Sequence, residues 1–182
     1  EDGDLKWRQV QLSSEVLETT WALVILPSDG RQAYAEGLPV VVNVLVDTHP
    51  DKDYLTAPKP LVDPDLGILE VQALPPGWSA LDATTSGGLN YQGALSQEAV
   101  RAAILWASGQ QHSLDGLSLA DVAEHTVCGE QLIVAGTSAS GTTAVGALHP
   151  DRSSAVESLG GLDLFEAPTH PQLLAREGGL TL

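Results

Sequence analysis

The sequence holds one cysteine, one phenylalanine and no methionine in 182 residues. A single thiol, Cys128, excludes an internal disulfide and a zinc cluster built on cysteines. It reads as a small buried hydrophobe rather than a reactive group. Basic residues are equally scarce, with 8 Lys+Arg against 24 Asp+Glu and a formal charge of -16. Such a surface repels a phosphate backbone, so nucleic acid is excluded as a partner. Strong acidity with few lysines also suits high salt, although ordinary secreted or cytosolic surfaces share it. No apolar run reaches the length needed to cross a bilayer. The start lacks the basic and apolar regions of a leader and begins at Glu1. We therefore expect a processed product or an excerpt of a longer chain, with a secreted or periplasmic location favoured and a cytoplasmic one left open.

What is present is the composition of a folded domain, 43% hydrophobic with mean hydropathy +0.04. The length suits one domain with a sizeable core and is short for two. Aromatic and β-branched residues at 7–12 and 19–26, separated by Ser13-Ser14 and followed by Pro27-Ser28-Asp29-Gly30, predict two antiparallel strands. The nearly unbroken apolar run at 39–46 predicts a central strand covered on both faces. A polar and proline-rich connection follows, then a fourth strand at 67–74 stopped by Pro75-Pro76-Gly77. A loop through 84–88 leads to a helix at about 92–108, where Leu95, Ala99, Ala102, Ala103 and Trp106 recur at three- and four-residue steps. Ser118 and Asp121 have capping-box spacing for a short helix through His125. A further strand is expected at 155–164 and a short helical tail after 172. Alternating strands and helices after the first pair predict an α/β sheet, antiparallel at one edge and mostly parallel beyond it.

The stretch at 130–147, EQLIVAGTSASGTTAVGA, carries the chemistry. A strand-length apolar run, 132–135, enters a cluster of small residues and then a segment able to form a helix. A serine at the tip of a strained strand-to-helix turn is exposed for attack only if its neighbours two before and two after are small. Those neighbours are Gly136 and Ser140, which makes Ser138 the candidate nucleophile. The pattern resembles G-x-S-x-G with serine in place of the last glycine. Its plainer reading is a turn that only packs the sheet.

Taken in order, WRQVQL, TTWALVILP, PVVVNVLV, GILEVQALPP, AVRAAILWA and QLIVAGTSASG resemble the first two-thirds of the α/β-hydrolase fold, as in its esterase and prolyl-oligopeptidase-type members. The resemblance spans about residues 7–164 and implies a single domain over 1–182 that lacks the last strands. It implies a serine hydrolase, most like a carboxylesterase, that cleaves a small ester or amide through an acyl-enzyme on Ser138. The backbone N–H of Ala139 and a donor from the loop after the third strand, Thr48 or His49, would then form the oxyanion hole. That loop, Asp47-Thr48-His49-Pro50, departs from the His-Gly type familiar in the family. The acid and histidine should follow the nucleophile in sequence. The chain ends first, so a second polypeptide or C-terminal segment is expected to complete sheet and triad.

Within the chain, Asp163 is a candidate acid after the sixth strand, and His125, His149 and His170 are the available bases. His149 is expected to point away from the site, and His170 reads as a surface-loop residue. Asp47, Asp51, Asp53, Asp63 and Asp65 lack the calcium-loop pattern and read as a solvated acidic loop. No phosphate-binding glycine motif occurs, and nothing calls for a metal or cofactor. The competing classes are a non-catalytic hydrolase-like binding or structural subunit, and an acyltransferase or carbon–carbon hydrolase using the same serine.

Overall fold

A computed structural model describes residues 5–28, 34–45, 58–88, 93–137, 139–149 and 161–165. Its centre is a six-stranded sheet of order β1-β2-β4-β3-β7-β8. The strands are β1 (Trp7–Leu12), β2 (Thr20–Ile25), β3 (Leu38–Val44), β4 (Leu69–Ala73), β7 (Val127–Thr137) and β8 (Gly161–Phe165). β1 pairs antiparallel with β2, and β2 with β4. From β4 across β3 and β7 to β8 all pairing is parallel.

The period of two along each strand decides what each face carries. Val40, Val42 and Val44 of β3, Leu69, Val71 and Ala73 of β4, and Leu132 and Val134 of β7 are buried together on one face. Helices α1 (Ala94–Ala107) and α3 (Ala139–Ala147) cover that face and pack on each other. Each fully buried Val or Leu there contributes roughly 1.5–3 kcal/mol. On the opposite face Val41, Asn43 and Leu45 are also buried, so β3 is covered on both sides as its composition predicts. Leu23, Leu45, Leu74, Trp78 and Ala80 form a second, smaller core on that side.

Helix α1 is buried over more than the predicted stripe. Ala99, Ala102, Ala103 and Trp106 are interior, but so are Ser96, Gln97, Val100 and Ile104, while Leu95 is only half-buried. The added burial comes from α3: a Cβ on Gly146 would lie 2.6 Å from Cδ of Gln97. Helix α2 (Leu119–Ala123) carries the expected capping box, with the Asp121 N–H donating to Ser118 Oγ at 3.2 Å and the Ser118 N–H to Asp121 Oδ2 at 2.8 Å.

Two expectations are corrected. The loop after β4 contains a small ribbon, β5 (Ser79–Ala80) with β6 (Ala83–Thr84). It turns through Leu81, which adopts a left-handed φ of 56°. β7 begins at Val127, five residues before the apolar run, because Leu38 of β3 pairs with Val127. Cys128 thus stands within the strand, half-buried. The strand expected at 155–164 is described only as Gly161–Phe165, and residues 155–160 and the expected tail helix lie outside the described residues.

Candidate active site

Chain order creates the site. From β3 the chain returns as β4 on one side, then crosses to β7 on the other, so the β3/β7 pair is where strand order reverses. In open parallel sheets, ligands bind beyond the carboxyl ends of the strands at such a switch point. There Val44 of β3 is level with Gly136 of β7, and Gly136 with Leu164 of β8.

Gly136 is where strand and helix come closest. A Cβ built on it would lie 2.8 Å from Gly141 Cα, 2.9 Å from Gly141 N and 2.9 Å from the Ser140 carbonyl oxygen. These are backbone atoms, so no side-chain rotation could relieve the overlap, and every residue but glycine is excluded. Five residues after Gly136 the chain has folded back against it, which is the sharp strand-to-helix reversal expected. Gly136 and Ser140 are the flanks expected to be small, with Gly141 expected only as one more small residue of the cluster. The backbone of Gly141 abuts Gly136, while the Ser140 side chain is buried. The signal was present in S-x-S-G, where a glycine sits one place later than the family pattern has it.

Ser138 and Thr48, the candidate nucleophile and second oxyanion donor, lie outside the described residues, as do Asp47, His49 and His170. Ala139 opens α3. Its N–H is among the first four of the helix, which have no partner within it. The first turn of α3 contains no acidic residue to offset the positive end of the helix dipole. Thr142 and Thr143 are buried with Ser140, leaving α3 with no solvated polar face at these positions.

The proposed partners are not gathered here. His125 is exposed in the turn before β7, at the opposite end of that strand, whose course from Val127 to Gly136 matches Leu38 to Val44 of β3, roughly 20 Å at a strand's rise per residue. His149 follows the far end of α3, its N–H bonded to the Gly146 carbonyl. Asp163 is not after the sixth strand but in the middle of β8, level with Ala135 and exposed. Asp63 accepts from the Asp65 N–H at 2.9 Å and caps a 3₁₀ turn, Pro64–Leu66. Among the described residues no three His, Cys, Asp or Glu side chains are grouped to hold a metal ion. A void of about 10 Å³, lined by Val44, Ala73, Ala99 and Thr143 among others, lies beside the switch point and holds one water at most.

No family model matches the sequence, and no curated protein matches it. Solved structures do. The chain is similar to an esterase of the fungus Rhizomucor miehei, with TM-score 0.58 and 14% identity over 98% of this chain and 51% of that one. A bacterial heroin esterase gives TM-score 0.56 and 15% identity over 90% and 44%. A thermostable carboxylesterase cloned from a metagenomic library gives TM-score 0.54 and 18% identity over 89% and 47%. Identities this low carry architecture alone, and the sheet order, the helices and the tight turn at Gly136 agree with it: the chain has the α/β-hydrolase fold and spans about half the length of the esterases it overlays.

Proposed function

We propose that this chain is the nucleophile-bearing part of a serine hydrolase that cleaves a small carboxylic ester, or an amide, by acyl transfer on Ser138. The observation that supports it most is the approach of Gly136 to Gly141 at the switch point. Such an approach lets strand and helix meet at a tight turn, as an exposed nucleophile requires. In the proposed reaction Ser138 Oγ attacks the acyl carbon while a histidine takes its proton. The resulting oxyanion is met by the Ala139 N–H, at a helix N-terminus free of acidic side chains, and by a donor from the connection after β3 that includes Thr48. Collapse of the tetrahedral adduct expels the alcohol or amine, which receives the proton from the histidine. The histidine then takes a proton from water, which attacks the acyl-enzyme; collapse of the second adduct releases the carboxylic acid and returns the proton to the Ser138 oxygen. The name esterase, carried by the similar structures, favours an ester over a peptide.

The histidine and acid belong, in this reading, to a second polypeptide or C-terminal segment. Parallel sheets are ordinarily covered on both faces. Yet Ile133 of β7 is 38% exposed on the face away from α1 and α3, and among the described residues β8 pairs on one side only. Both features leave room for further strands and cover. A second reading, a hydrolase-like binding subunit without catalysis, is favoured by one observation: no described histidine stands near the carboxyl edge of β7. Fluorophosphonate labelling of the protein as isolated, with any accompanying polypeptide, separates the two. The hydrolase reading expects covalent labelling that Ser138→Ala abolishes, together with loss of p-nitrophenyl ester turnover. An unlabelled wild type would leave the binding subunit as the function.

A further inference from the structure

Helix α1 faces two hollows. Ser96, Ala99 and Val100 line the small void beside the switch point, whereas Glu98, Arg101 and Leu105 line a cavity of about 230 Å³ against the turn between β1 and β2. At about 3.6 residues per turn the two sets fall on opposite sides of the helix. The walls of the larger cavity are held in place. Ser14 Oγ accepts from the N–H groups of Val16 at 3.2 Å and Leu17 at 3.0 Å and donates to Glu98 Oε1 at 2.9 Å. Across from it Gln111 Nε2 donates to the Ser13 carbonyl at 3.2 Å, and the N–H groups of Gln110 and Gln111 both donate to the Leu105 carbonyl.

The charges are what give this cavity a chemistry. Glu98 and Arg101 are neighbours at i and i+3, with side chains only 11% and 17% exposed. Their closest approach is 3.8 Å, about 1 Å longer than a charge-assisted hydrogen bond. A largely buried pair offsets its desolvation only in close geometry. This pair is instead set apart at the wall of a cavity, each charge placed for a group of opposite sign. We infer that the cavity binds a free α-amino acid with a basic side chain. The Arg101 guanidinium, a planar fork suited to carboxylates, takes the α-carboxylate. Glu98 takes the α-ammonium on Oε2, since Oε1 already holds the Ser14 hydroxyl. Two carboxylates, Glu98 and the exposed Glu15, line the cavity against one guanidinium, and a cationic side chain balances the excess. Ala102 and Leu105 supply an apolar floor for its methylenes. The volume is below the roughly 300–1,000 Å³ of sites for drug-sized ligands, as an amino acid requires. None of these residues takes part in the proposed chemistry at Ser138, so the site does not depend on the hydrolase reading.

Calorimetric titration of the protein as isolated with L-arginine tests this. Binding should saturate at one equivalent. Agmatine, which lacks the α-carboxylate, and N-acetyl-L-arginine, which lacks the α-ammonium, should each bind more weakly by about tenfold or more. Arg101→Met should weaken L-arginine by about tenfold to a hundredfold without weakening agmatine. Glu15→Gln, at an exposed position, should weaken L-arginine by about twofold to fivefold and leave the uncharged L-norvaline unaffected. Should Arg101→Met not fold, the comparison of L-arginine with its two analogues on the wild type decides. Absence of saturable binding overturns the inference. So does agmatine binding as tightly as L-arginine, which marks mere attraction of a cation to an acidic surface, and so does undiminished affinity in folded Arg101→Met.

Discussion

At the scale of single residues, two glycines of one chain have opposite tolerance for a methyl group. A Cβ on Gly136 meets three backbone atoms under 3.0 Å, whereas one on Gly88 meets nothing within 4 Å. Gly136→Ala is therefore expected to destabilise by at least about 2 kcal/mol, as overpacking against immovable atoms does, and to abolish fluorophosphonate labelling. Gly88→Ala should be neutral or stabilise by up to about 1 kcal/mol through the unfolded chain. Urea midpoints of the two variants check both figures. Gly136 was legible in the sequence because the steric demand of a strand-to-helix turn falls at a fixed offset from its tip. Gly141 was expected only as one more small residue because the offset in this chain is longer by one. Glu70, buried within β4, was missed, although E and Q alternating with L, V and A in GILEVQALPP marks a strand with polar groups on one buried face. What satisfies them comes from Asn43 and from the loop backbone at Lys59, Leu61 and Val62, which no local pattern reports.

At the scale of elements, helix α2 shows how a short segment is held by its first turn. The two hydrogen bonds from Ser118 hold the Asp121 carboxyl below its ordinary value of 3.8, the side-chain bond contributing most and nearby His112 adding a little. A group whose folded pKa is depressed stabilises the fold above the unfolded value and loses that contribution as pH falls through the folded one. We therefore expect the protection of amides in α2 to be constant above pH 3.8 and to decline below it. In Asp121→Asn this decline should be absent, as exchange measured between pH 3 and 6 would show. The capping box, the opening strand pair, the central strand and α1 were all legible, because each rests on local spacing. The β5–β6 ribbon was not, since strands of two residues are too short to display a period. Nor was the early start of β7, where Val127 pairs with Leu38 and Cys128, Gly129, Glu130 and Gln131 form an irregularity before pairing with β3 resumes at Leu132.

At the scale of the whole molecule, the order β1-β2-β4-β3-β7-β8 is not encoded in any one segment. The alternation of strands and helices predicted a mostly parallel sheet with an antiparallel edge, but not the placing of β3 between β4 and β7, which rests on pairing between segments far apart in sequence. Charge does act at this scale. A formal charge of -16 on 182 residues makes the compact state repel itself. Salt shortens the reach of that repulsion to about 3 Å at 1 M. The melting temperature is accordingly expected to rise by several degrees between low salt and 1 M sodium chloride. A fall would show that the few attractive pairs, such as Arg101 with Glu98 at 3.8 Å, outweigh the repulsion.

The sheet order also bears on synthesis. β3 is complete at Val44, but one of its neighbours arrives with Leu69 and the other only with Val127. On the ribosome an apolar strand meant for the middle of the sheet thus emerges with neither flank in place. At about 5–20 residues per second it waits for several seconds. During that interval the nascent chain is most exposed to aggregation, and a chaperone that shields strands would matter most.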